Sequence, residues 1–202
     1  MAFSSGRKGF YYRKSLLGLT SEPVAMRVRL DNSATLTIGD AVRFNTSGLL
    51  ELSINTEPVL GVLVGFTDNS GDAKSGGINP LSSFYVNNTG ATLTPDDTVV
   101  TASDNSTRTN YLLGLVQVDP SGSALFYNDS DGTLAQTNLG QYFDVISTAD
   151  QISASSASDA NGQWQLIDID PDNDADASKG LFRINESQFS AALDSATSKI
   201  TS

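Results

Sequence analysis

Val24-Ala25-Met26-Arg27-Val28-Arg29-Leu30-Asp31 alternates apolar and mostly polar side chains along its length. A period of two puts Val24, Met26, Val28 and Leu30 on one face of a strand and leaves the other face to water. Similar short runs recur downstream, each bounded by turn residues. They are Ala34–Ile38, Ala41–Phe44, Val59–Phe66, Leu81–Val86, Thr98–Ala102, Tyr111–Val118, Ala124–Tyr127, Tyr142–Ser147, Trp164–Ile169 and Leu181–Ile184. Asp68-Asn69-Ser70-Gly71-Asp72, Asn87-Asn88-Thr89-Gly90 and Ser121-Gly122 punctuate them. Many short strands with Gly, Asn and Asp between them predict an all-β protein, a sandwich or barrel. Only Ser187–Ile200 carries a helical pattern, with Phe189, Leu193 and Ile200 on one face and Ser187 as cap.

The chain divides into three parts. Residues 1–23 read as an extended basic and aromatic arm, 24–119 as a β-barrel domain, and 120–202 as a second, smaller β domain with an acidic loop. The second boundary falls at Asp119-Pro120-Ser121-Gly122, because proline cannot donate to a sheet ladder and Ser-Gly bends freely. Within the barrel, Leu36-Thr37-Ile38-Gly39-Asp40-Ala41-Val42 resembles Leu93-Thr94-Pro95-Asp96-Asp97-Thr98-Val99, and Leu60-Gly61-Val62 resembles Leu113-Gly114-Leu115. Two such copies would be halves of one closed barrel. Each Leu-Gly pair then marks a sharp bend or a close backbone approach. The single Trp164 is expected in the core.

The 202 residues contain neither histidine nor cysteine, which excludes Ser-His-Asp and Cys-His catalysis, disulfides and thiolate or imidazole metal sites. No phosphate-cradling glycine loop or nucleophile elbow is present. Asp96-Asp97 and Asp168/Asp170 could serve as carboxylate pairs, but nothing in the sequence brings either to a cleft. The expectation is a soluble chain that is not an enzyme and binds no cofactor. Leu16-Leu17-Gly18-Leu19 is the one apolar patch near the N-terminus, too short for a signal-peptide core, and no stretch suits a membrane span.

Charge is segregated. Arg7, Lys8, Arg13, Lys14, Arg27 and Arg29 against Glu22 give residues 1–30 a charge of +5, and the remainder carries −16 of the net −11. Phe3, Phe10, Tyr11 and Tyr12 interleave with the basic residues. Such an arm can be a solvated, frayed terminus, a platform for single-stranded nucleic acid, or a strap across an acidic protein surface. The acidic body opposes approach to a polyanion, so no direct nucleic-acid partner is expected. The arm residues expected to touch a partner are Arg7, Lys8, Phe10, Tyr11, Tyr12, Arg13 and Lys14. Residues 1–23 are expected to be disordered in the free protein and ordered against a partner surface or a neighbouring subunit, so that removing residues 2–14 leaves the body folded. The densest acidic stretch offers Asp168, Asp170, Asp172, Asp174 and Asp176 as oxygen ligands for Ca²⁺. Its spacing fails the EF-hand pattern, and a solvated loop without tightly bound metal is expected.

Gly39-Asp40-Ala41-Val42-Arg43-Phe44 with Val59-Leu60-Gly61-Val62-Leu63-Val64-Gly65 resembles the small β-barrel of tailed-bacteriophage capsid cement, or decoration, proteins. Leu113-Gly114-Leu115-Val116-Gln117-Val118-Asp119-Pro120 and Leu139-Gly140-Gln141-Tyr142-Phe143-Asp144-Val145 continue the likeness. Gln165-Leu166-Ile167-Asp168-Ile169-Asp170-Pro171 through Arg183-Ile184-Asn185-Glu186 is similar to the closing hairpin of such proteins. The resemblance implies a virion structural protein made in the host cytoplasm. It would bind the major capsid protein on the outer surface of an icosahedral head, as a homotrimer. A head fibre, a head-tail connector component and a carbohydrate-binding β-module are the alternatives.

Overall fold

The computed structural model describes residues 9–17, 25–29, 36–68, 73–74, 92–93, 99–101, 107–109, 112–169 and 179–188. Its strands are β1 (Tyr11–Ser15), β2 (Ala25–Arg29), β3 (Leu36–Thr37), β4 (Ala41–Phe44), β5 (Leu50–Leu52), β6 (Gly61–Asp68), β7 (Ala73–Lys74) and β8 (Thr92–Leu93). They continue as β9 (Val99–Thr101), β10 (Thr107–Thr109), β11 (Leu112–Val118), β12 (Ala124–Asp129), β13 (Tyr142–Phe143), β14 (Trp164–Ile169) and β15 (Lys179–Ile184). Two short 3-10 turns lie at Gln136–Asn138 and Ala154–Ser156. The all-β class is therefore met. The strand expected at Leu81–Val86, and all of the Ser187–Ile200 helix except Ser187 and Gln188, lie outside the described residues.

One large sheet runs β1-β12-β15-β14-β13, and the other large sheet runs β2-β11-β6-β4-β5 with β7 added on β6; β9 with β10 and β3 with β8 form two-stranded pairs. All of these strand pairs are antiparallel. The second sheet is open, not the closed barrel expected for residues 24–119: among the described residues no pairing joins β5 to β2. The physical reason is that its apolar face is covered by the other sheet. Ala41, Val59 and Val62 share one buried cluster with Phe10, Phe126, Phe143, Trp164, Leu166 and Phe182. Burial by a second layer removes the need for closure.

The opposite face of the open sheet is buried too, by Val42, Leu63 and Val116 with Leu36, Ile38, Leu50 and Leu60. Neighbours Ala41 and Val42, or Val62 and Leu63, thus serve different clusters. That explains why Val59–Phe66 reads as a continuous apolar run rather than an alternation.

The repeat copies meet each other. Leu36 pairs with Leu93 across β3 and β8, and β6 runs antiparallel beside β11 with Gly61 opposite Val118 and Gly114 opposite Phe66. A one-residue bulge near Leu115 breaks an otherwise nearly symmetric register. The copies face one another, β3 and β8 as a separate two-stranded pair and β6 and β11 within the open sheet, instead of forming two halves of a barrel.

The chain passes from one sheet to the other at the expected turn. Asp119 Oδ2 accepts the Ala124 amide at 2.6 Å, and its Oδ1 accepts the Ser121 hydroxyl at 2.8 Å. Gly122 takes φ +63° there, a left-handed conformation that suits glycine. Residues 186–188 tie the sheets together again. The Val59 amide donates to the Glu186 carbonyl and the Gln188 amide to the Val59 carbonyl, both at 2.8 Å.

The arm departs from the expectation of disorder. Over residues 9–17 it is part of the body. Phe10 is 2% exposed and stacks on Trp164, with ring centroids 4.0 Å apart and planes 16° from parallel. Tyr12 meets Phe126 edge-on at 6.1 Å. β1 is the edge strand beside β12. Burying two aromatic rings outweighs the ordering cost of a short segment. Gly9 permits the docking. It takes φ +106° against Gly39 at +103°, and a Cβ on Gly9 would sit 2.9 Å from the Gly39 Cα.

Candidate interaction surface

The exposed part of the arm begins where the strand leaves the core. Tyr11 pairs with Tyr127, which pairs in turn with Leu181, forming a row on the face that Phe126 and Phe182 do not occupy. A bulge between Tyr12 and Lys14 then shifts the register. The Arg13 guanidinium lies 5.7 Å from the centroid of the Tyr127 ring, a cation–π contact. Lys14, opposite Leu125, is exposed. Bulges and lysines on an edge strand discourage another strand from pairing there. The surface therefore offers side chains rather than a free backbone ladder.

Beyond Lys14 the chain turns. Ser15 Oγ lies 3.2 Å from Ser123 Oγ, the Leu16 amide donates to the Ser123 carbonyl at 2.8 Å, and the Leu17 amide donates to Ser15 Oγ at 3.3 Å. This turn holds Leu16 and Leu17 outward, 51% and 62% exposed. Among the described residues they are the exposed large hydrophobics. Arg13, Lys14, Leu16 and Leu17 thus form a basic and apolar spot on a chain of net charge −11.

Of the residues expected to touch a partner, the structure makes Arg13 and Lys14 exposed and leaves Tyr11 half-buried on the outer face. Tyr12 packs against the core and Phe10 lies inside it, so Phe10 is corrected from a surface anchor to a core residue. Arg7 and Lys8 lie outside the described residues. The leucines were legible in the sequence only as an apolar patch too short for a signal peptide. Nothing local showed that the turn would hold them outward. Asp168 is exposed at the end of β14, with its Oδ1 accepting the Ile169 amide at 2.9 Å. Asp170, Asp172, Asp174 and Asp176 lie outside the described residues. Among the described residues no group of three metal-ligating side chains gathers, and no helix is long and apolar enough to cross a membrane.

A polar seam joins the two layers elsewhere in the body. Gln163 is fully buried; its Oε1 accepts the Val145 amide at 2.9 Å. Its Nε2 donates to Ser53 Oγ at 3.0 Å and to the Glu57 carbonyl. Burial pushes the Asp144 carboxyl above its usual range, opposed by the Gln163 amide at 3.2 Å. Burial raises Glu186 as well, opposed by the Gly162 amide, with the nearby Asp144 charge adding to the rise. Gln163→Ala is expected to cost about 2–3 kcal/mol, because it strands buried polar groups on both layers. Chemical denaturation compared with wild type measures this. No family model, curated protein or solved structure matches the chain.

Proposed function

We propose that this chain is a non-enzymatic structural protein of a phage virion. It binds the outer surface of an icosahedral head through the major capsid protein and stabilises the shell, as a homotrimer. The observation that carries the reading is the Arg13, Lys14, Leu16 and Leu17 spot, held on a two-layer body by β1. Exposed leucines beside cations suit a partner surface that is apolar at its centre and acidic at its rim. A part that binds only the assembled shell stabilises that shell by mass action and needs no chemistry.

The test uses purified heads lacking the protein, mixed with the full chain and sedimented. Many copies should bind per head, where a fibre or connector position would take few, and the decorated heads should resist heat longer. Leu16→Ser with Leu17→Ser should weaken binding by about tenfold or more, since each buried leucine side chain is worth roughly 1.5–3 kcal/mol. Arg13→Ala with Lys14→Ala should have a smaller effect that fades with added salt. Failure of the wild-type chain to bind heads sinks the reading. Unchanged binding by the leucine variant moves the contact to another face.

A further inference from the structure

Three segments meet at the entry to β1. The Phe10 amide donates to the Gly39 carbonyl at 2.7 Å, and the Gly9 amide donates to the Asp150 carbonyl at 2.9 Å. The Gly39 turn is fixed to β6 by its amide donating to the Leu63 carbonyl at 2.8 Å. The turn holding Asp150 is fixed to β4 by the Ala41 amide donating to the Ala149 carbonyl at 2.9 Å. Asp40 belongs to the first of these turns and is 3% exposed; its Oδ2 accepts the Thr37 amide at 2.6 Å, and the charge of Asp150 in the second turn acts on it.

We propose that this junction is a proton-operated latch on the N-terminal arm. With Asp40 neutral, Gly9 and Phe10 are clamped between the two turns; with Asp40 ionised, the turns part and the arm is released. The inference concerns the isolated chain and does not rest on the capsid reading.

The geometry supplies the coupling. Asp40 is bonded into the turn whose Gly39 carbonyl holds Phe10, and Asp150 belongs to the turn whose carbonyl holds Gly9. Like charges on Asp40 and Asp150 push these two turns apart. An ionised Asp40 also needs water, which the closed junction excludes and the open one admits. Burial pushes the Asp40 carboxyl up to about 8, the Thr37 amide opposes the rise, and the Asp150 charge adds to it. Among the described residues the charge acting on Asp40 is that of Asp150. Phe10, Leu63 and Ala149 bring none, and Arg43 on β4 is paired with Glu51 and Glu57 at 2.6 Å each.

The sign follows from the raised value. The closed form binds the proton more tightly than an open, solvated Asp40 does. Clamping is therefore complete at acid pH, weakens above the ordinary carboxyl range near 4, and is lost as pH rises through about 8.

Trp164 is the chain's single tryptophan and carries Phe10 on its face, so its fluorescence reads the latch. The full chain is titrated from about pH 6 to about pH 9.5, below tyrosine ionisation, following acrylamide quenching of Trp164 and far-UV circular dichroism together. The expected result is a rise in quenching that levels off once the pH has passed about 8, while the strand signal holds. Asp40→Asn should abolish the transition and keep Trp164 shielded throughout. Asp150→Asn should shrink the rise, because without the second charge the closed junction tolerates an ionised Asp40 better, and it carries the test if Asp40→Asn does not fold. A wild-type protein without the transition, the same transition in Asp40→Asn, an undiminished rise in Asp150→Asn, or simultaneous loss of the strand signal each overturns the latch.

Discussion

Gly61→Ala is expected to destabilise the protein by about 3 kcal/mol or more, lowering the melting temperature by roughly 10 °C. A Cβ on Gly61 would lie 2.3 Å from the Gln117 carbonyl oxygen, 2.9 Å from Val116 Cγ1 and 3.0 Å from the Gln117 carbonyl carbon. All three are far inside the ~3.5 Å at which non-bonded atoms attract best. Two of them belong to backbone, which cannot rotate away. Relief requires β11 to move off β6, and β11 is held on its other side by β2. Both faces of the β6–β11 region are buried, so any shift disturbs two apolar clusters at once. Gly48→Ala is the control. It has φ +73° with nothing within 4 Å of the new Cβ, and should cost only the backbone strain of about 1 kcal/mol. Equal losses for the two variants would show that the close approach is not what requires glycine at position 61.

Phe10→Ala is expected to cost about 3–5 kcal/mol, and deletion of residues 2–14 at least as much. The ring is 2% exposed, stacked on Trp164, which also meets Phe126 edge-on at 5.6 Å. Truncation leaves a cavity lined by aromatic carbon, and the deletion additionally strips β12 of its neighbour on the edge side, leaving only β15 beside it. This outcome separates two pictures of the arm. A frayed or partner-ordered arm can be deleted with the body unharmed, whereas a docked arm cannot. The measurement is thermal unfolding of the two variants followed by Trp164 fluorescence. A melting temperature within about 2 °C of wild type, equivalent to under about 1 kcal/mol, would return residues 9–17 to the role of a dispensable tail. Tyr12→Ala should show a smaller loss, because Tyr12 is only half-buried against the same cluster.

Much of the fold was legible because strands announce themselves locally. Ala41–Phe44 and Trp164–Ile169 are strands with the boundaries their sequence implied. The Asp119 turn falls where proline and Ser-Gly required it. Trp164 is fully buried, as a lone tryptophan on a strand should be. Gly61 makes the close backbone approach that its place after leucine in a strand suggested. Period-two patterning, turn chemistry and glycine's small size are short-range properties, written in neighbouring residues.

Other features were decided only by tertiary structure, because they depend on which distant segments meet. The basic residues of the arm read equally well as a free strap or a docked strand. Charge and composition do not say where Phe10 goes. The answer lies in a socket built by Trp164 and Phe126 and opened by the Gly9–Gly39 crossing, all remote from one another in the chain. An apolar strand face likewise needs a cover, but its pattern does not specify whether the sheet closes on itself or borrows a second layer. Here the aromatic side chains of β12, β14 and β15 supply that layer, and the sheet stays open. Local sterics and periodicity suffice for the all-β class, most strand positions and the glycine at the β6–β11 contact. Long-range packing was needed to show that the arm belongs to the core, that Leu16 and Leu17 face water, and that Asp40 is buried in its turn within reach of the Asp150 charge. Each of these is set by the burial and electrostatics of long-range contacts.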